Sequence, residues 1–214
     1  MRRGESRGPA AIAVVVALAA QLLLSPTLLP GPPWVLPALE AVLLAGLLIA
    51  DPSRLSEESR DLRVVSLPLL AVIALGNGWA LVRLIDLLVN GGGSGRDVLS
   101  AAAGVWVTNV VVFALAYWET DRGGPLGRAG AITAPQYPEL WFPQDGDAKD
   151  AAPPGWQPVF VDYLFVSLTA STAFSPTDTM PLTSRAKLLM GGQGLVSLVT
   201  IGLVAARAVN ILGT

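Results

Sequence analysis

Thr172, Ser175, Thr177 and Asp178 put three hydroxyls and one carboxylate within the run T-A-F-S-P-T-D. Such a hairpin offers hard oxygen ligands, which suit an inorganic ion more than a soft metal. The same residues also cap turns, since Ser-Pro and Thr-x-Asp are common turn chemistry. On residue types alone, solute lining and turn capping are equally good readings of Ser175, Thr177 and Asp178.

The rest of the chain narrows the chemistry. It has no cysteine and no histidine, so thiolate catalysis, a histidine base and Cys/His metal or haem sites are excluded, and no cofactor is expected. The carboxylates Glu40, Asp86, Asp162 and Asp178 fall on separate segments, without a paired-carboxylate or G-x-S-x-G pattern, so no enzyme is expected. No basic tract points to nucleic acid. Seven polar residues stand inside apolar runs: Glu40, Asn77, Arg83, Asp86, Asn109, Arg207 and Asn210. Ionisable groups at membrane depth are costly and mark functional candidates. Arg83 and Asp86 are spaced to pair on one helix face near its end. Glu40 needs either an arginine from another helix or a wet cavity. Arg207 is near enough to a helix end to snorkel. The three asparagines suit hydrogen bonds between helices better than a solute site.

These residues sit in a chain of 214 residues, 52% hydrophobic and only 14% charged. Soluble domains carry about a quarter charged residues, so this composition specifies an all-α membrane protein. At about 20 apolar residues per crossing, the chain holds about five spans. The first is expected over Ala10–Leu29, retained instead of cleaved as a signal, and ended by Pro30, Gly31, Pro32 and Pro33. The second covers Val35–Ala50, with Trp34 at the interface. A charged aqueous loop, Asp51–Arg63, leads to the third span at Val64–Val89. A flexible linker, Asn90–Asp97, precedes the fourth at Val98–Trp118. Glu119 to Gln157 is rich in Pro, Gly and acids, and its aromatics suit packing against the membrane face of the protein. The last span runs from Ser184 to Leu212 with many small residues. Three regions result: 1–118, 119–157 and 158–214.

Phe160 to Ser171 is too short to cross a bilayer and too apolar for an aqueous loop. As a helix it reaches about 18 Å, half a membrane. Irregular backbone at that depth survives only when buried in protein or lining a wet cavity. A re-entrant half-helix and hairpin is therefore expected. The competing reading has Val159–Phe174 cap the bundle at the interface.

The stretch Asp162–Leu212 resembles the pore module of two-helix, potassium-channel-like proteins. Their pattern is D-x-x-Y-F-S-x-x-T-x-T-T-V-G-Y-G-D-x-x-P-x-T followed by an inner helix. Without gaps, Thr172 falls on the threonine before the filter, Asp178 on the aspartate after it, and Pro181 and Thr183 on P-x-T. The filter positions are Ala173, Phe174, Ser175, Pro176 and Thr177, and both filter glycines are missing. A potassium filter lines its pore with backbone carbonyls in angles that glycine permits, so a potassium-selective stack is not expected. The resemblance implies a channel-like protein of the inner (plasma) membrane, a homotetramer about a fourfold axis, with lipid and an inorganic ion as its partners. Its pore is at most weakly selective. The alternative is a non-conducting scaffold or accessory subunit. The chain is also similar to uncharacterised bacterial integral membrane proteins that carry Y-W-E-x-D-R-G-G-P, here Tyr117–Pro125, and A-F-S-P-T-D. That resemblance implies no activity.

Charge sets a conflicting expectation about sidedness. Arg2, Arg3 and Arg7 before the first span and Arg54, Arg60 and Arg63 after the second place both flanks in the cytoplasm. Four full crossings then put 119–157 there too, and the hairpin enters from inside. In the channel family it enters from outside.

Overall fold

A computed structural model describes residues 5–22, 32, 34–49, 57–90, 95–130, 132–133, 135, 137–146, 148–172 and 179–212. Two short helices come first, α1 (Gly8–Leu22) and α2 (Val35–Ile49), each of 15 residues. At 1.5 Å per residue each is about 22 Å long. Two long helices follow, α3 (Glu57–Val89) and α4 (Gly95–Thr120). A 3-10 turn over Asp121–Gly123 leads into the short α5 (Gly124–Arg128). Beyond it lie strand β1 (Leu140–Trp141), helix α6 (Phe160–Thr172), strand β2 (Met180–Pro181) and helix α7 (Ser184–Leu212). Three helical stretches are long and apolar enough to cross a membrane: Ser66–Val89, Asp97–Arg128 and Ser184–Arg207.

Several boundaries differ from the sequence expectation. Helix α3 begins at Glu57, not Val64, so part of the charged stretch is helical. It also runs through Pro68, a residue that removes one backbone donor but is tolerated in a membrane helix. Helix α4 begins at Gly95 and extends to Thr120, absorbing the end of the expected linker. The described part of the first helix is Gly8–Leu22, short of the Leu29 expected. The last helix has the expected limits.

Helix α4 is the hub. Its most apolar window is 67% buried, against 33% for α3 and 17% for α7. Contacts with three antiparallel helices fix the neighbours of α4. Asn77 of α3 donates to the Val105 carbonyl at 3.0 Å. Asn109 of α4 meets Ser197 of α7 at 2.8 Å. On α6, Tyr163 meets Asp121 at 2.7 Å, and the Trp106 indole donates to the Ser171 carbonyl at 3.3 Å. Glu5, just before α1, accepts from the Trp118 indole at 2.9 Å, so α1 starts at the C-terminal end of α4. Leu39 of α2 packs with Leu84, Val98, Ala101 and Ala102, at the other end of the bundle. The start of α1, the end of α2, the start of α3 and the segment after α4 therefore share one end.

Candidate re-entrant site

Helix α6 has 13 residues, about 20 Å of helix. It starts at the end of the bundle that carries Trp118 and Asp121. It runs inward, antiparallel to α4, until Ser171 lies against Trp106. By Met180 the chain is back at the starting end. There β2 pairs antiparallel with β1, Leu140 opposite Pro181 and Trp141 opposite Met180. The Leu182 amide adds a bond to the Glu139 carbonyl at 2.8 Å. The half-helix thus enters and the chain returns on one side, and α6 is not a cap lying flat across the bundle. The hairpin residues Ala173, Phe174, Ser175, Pro176, Thr177 and Asp178 lie outside the described residues. Thr172, the last residue of α6, is half-buried and donates to the Thr169 carbonyl at 3.1 Å.

Both helices flanking the hairpin have first-turn amides capped by side chains. The first turn of a helix leaves backbone donors without partners. At α6, Asp162 accepts from the Val159 amide at 2.7 Å, and Glu5 accepts from the Phe160 amide. At α7, the Thr183 hydroxyl accepts from the Ala186 amide at 3.1 Å. A cap of this kind contributes about 1 kcal/mol. Asp162 and Thr183 are therefore helix caps, whichever further part they play.

A buried polar network locks α6 to α4 and α7. Gln193 of α7, fully buried, is its centre. Its Oε1 accepts from the Tyr117 hydroxyl at 2.5 Å. Its Nε2 donates to the Ser167 carbonyl at 2.8 Å and to the hydroxyls of Ser167 and Ser171 at 2.6 and 2.7 Å. The Ser167 hydroxyl donates to the Val110 carbonyl at 2.6 Å. Asn109 donates to the Gln193 carbonyl at 3.2 Å as well as to Ser197. Every bond runs between helices in an apolar setting, where an unpaired polar group is costly.

The root of α6 rests on a second network built from Tyr117–Pro125. Arg122, Gly123 and Gly124 have φ of 55°, 78° and 70°. Two glycines in succession allow this turn cheaply; Arg122 adopts left-handed backbone at a cost of about 1–2 kcal/mol. The turn aims Asp121, fully buried, back into the protein. Asp121 accepts from the Tyr163 hydroxyl at 2.7 Å and from the Glu139 and Leu140 amides at 2.8 and 3.2 Å. Arg122 bridges Asp121 at 3.2 Å and forks onto Asp145, one arm at 3.1 Å. Arg128 donates to the Trp118 and Asp121 carbonyls at 2.9 and 3.0 Å and pairs with Glu5 at 3.3 Å. Its guanidinium lies 5.0 Å from the Tyr163 ring centre. Phe142 packs edge-on against Tyr163 and Trp156, at 5.5 and 5.8 Å. The Pro/Gly-rich segment is thereby fastened to the protein by its aromatics, as expected. Arg122 and Arg128 also line a surface cleft of about 400 Å³ with Pro138 and Gln157. Both guanidiniums pair with carboxylates.

The other sequence candidates fall as follows. Arg83 and Asp86 pair at 2.8 Å and are about half exposed. Asn77 and Asn109 bond between helices, as their type predicts. Glu40 is buried at 2% exposure, with neither carboxylate oxygen bonded. Among the described residues no arginine pairs with it. Arg207 is half-buried with its Nε unpaired. The Asn210 side chain lies outside the described residues. Among the described residues no three His, Cys, Asp or Glu side chains gather as a metal site. Sequence reasoning missed Gln193, Ser167, Ser171, Tyr117, Asp121 and Arg128. Gln193 did carry a signal: it is the only amide between Ser184 and Thr200, within an apolar helix.

No protein family, curated protein or solved structure matches this chain.

Proposed function

We propose that the protein is a channel-like integral membrane protein whose re-entrant segment 160–181 lines a weakly selective ion pore in a homo-oligomer, with four copies favoured. The observation that carries this reading is the half-helix α6, which runs into the bundle and whose chain returns to the same side through β2. A second observation supports it: α7 is the least buried of the three candidate spans, as a helix that packs on sibling copies has to be. In this reading Ser175, Thr177 and Asp178 supply the oxygen ligands. In the same reading the end of the bundle that carries Glu5, Arg7, Arg122, Arg128 and Lys149 is cytoplasmic, with the N-terminus on the cytoplasmic side of the plasma membrane and the hairpin entering from there.

The test is cation flux into vesicles that contain the purified protein. Sodium and potassium should both pass faster than through protein-free vesicles, and Asp178→Ala should reduce the flux severalfold. Flux equal to protein-free vesicles in every salt would refute conduction. A non-conducting scaffold is the second reading, favoured by the missing filter glycines. It predicts no flux and a stoichiometric partner that co-purifies.

A further inference from the structure

We infer that Glu40 and Gln21 form an intramembrane site for a small monovalent cation, a proton or sodium, separate from the re-entrant segment. Glu40 stands in the second turn of α2 and Gln21 in the last turn of α1, two helices that pack together. Both side chains are 2% exposed. Three of their oxygens, Glu40 Oε1 and Oε2 and Gln21 Oε1, are buried without a hydrogen-bond partner. A fourth, Thr108 Oγ1, is on α4, the helix against which α1 packs.

A bare carboxylate in such a place is prohibitively costly. Among the described residues no side chain donates to it or pairs with it, the half-buried Arg207 of α7 included. Glu40 is the only ionisable group within α1 and α2. On α3, packed beside α2, Arg83 and Asp86 are exposed and satisfy each other. On α4, Asp97 is exposed, and Glu119 stands at the opposite end of the bundle. Neither the Gln21 amide nor the Thr108 hydroxyl donates to Glu40, so the group holds open acceptor oxygens and a single negative charge. That chemistry takes one positive charge of small radius: a proton on the carboxyl, or a sodium ion held by carboxylate, amide and hydroxyl oxygens. A divalent ion would leave an uncompensated positive charge in the same apolar setting.

A hydrophobic carbodiimide tests this directly, because it adds only to a protonated carboxyl within the membrane. The full-length protein in lipid vesicles is treated across an acid-to-alkaline series, with and without sodium, and the label is located by peptide mass mapping. Glu40 should be labelled in acid, and labelling should fall about tenfold per pH unit above its midpoint. Suppression by sodium at fixed pH identifies sodium as the ligand, and Gln21→Leu should weaken that suppression severalfold. Indifference to sodium with the same pH series identifies a proton. Absence of label on Glu40 at every pH overturns the inference, as does labelling that neither pH nor sodium changes. Glu40→Gln should lose that label alone; should this variant fold poorly, the wild-type series still decides.

Discussion

Two side chains carry more of the structure than their neighbours. Asp121 is fully buried and joins Tyr163, Arg122 and the β1 amides. Removing one partner of a buried charged pair leaves the other uncompensated, so Asp121→Ala should cost about 3–5 kcal/mol. Thermal unfolding in detergent measures it; a negligible loss would mean that the junction does not hold α6. Gln193→Leu should cost about 1–3 kcal/mol, because it strands Tyr117, Ser167 and Ser171. Gln193→Asn should recover little, being one methylene too short to reach both sides. At this scale the sequence was informative where a polar residue stands alone in an apolar run, as Asn77 and Asn109 do. It was silent on Asp121 and Arg122, which follow the apolar stretch and owe their burial to a turn with three positive φ angles. Glu40 was visible as an anomaly, but only packing shows that no described partner answers it.

The half-helix is legible because its length alone rules out a crossing, and its polar neighbours P-P-G-W-Q-P and A-F-S-P-T-D mark both ends. The last helix is legible because its apolar run is long enough to cross a membrane, and it opens at the Thr183 cap. Less legible is the start of α3, since Glu57–Arg63 has the charge of a loop but continues a helix. The segment between α5 and α6 is legible only in that its aromatics pack on the protein, because its path depends on distant Asp121 and Tyr163. Sidedness offers a clean test, since the chain has no native cysteine. Single cysteines at Ser6, Ala151, Val159 and Met180 should react with an impermeant thiol reagent from one side of sealed vesicles. A cysteine at Asn90, at the far end of α3, should react only from the other. Val159 and Met180 on opposite sides would mean that α6 and its hairpin cross the membrane.

At the scale of the molecule, α4 binds everything else while α7 turns most of its surface outward. Leu188, Leu195 and Leu198 of α7 and Phe165 of α6 are all more than half exposed. Such a face meets lipid in a monomer and sibling copies in a pore. Sequence alone could not decide, because apolar residues suit both surroundings equally. What decides is the number and arrangement of copies in the purified protein, imaged as single particles in lipid discs. A channel-like assembly predicts four copies about one axis, with the Thr172 ends of the four α6 helices converging on it. Monomers or dimers, or an assembly whose α6 helices end away from the axis, would contradict it.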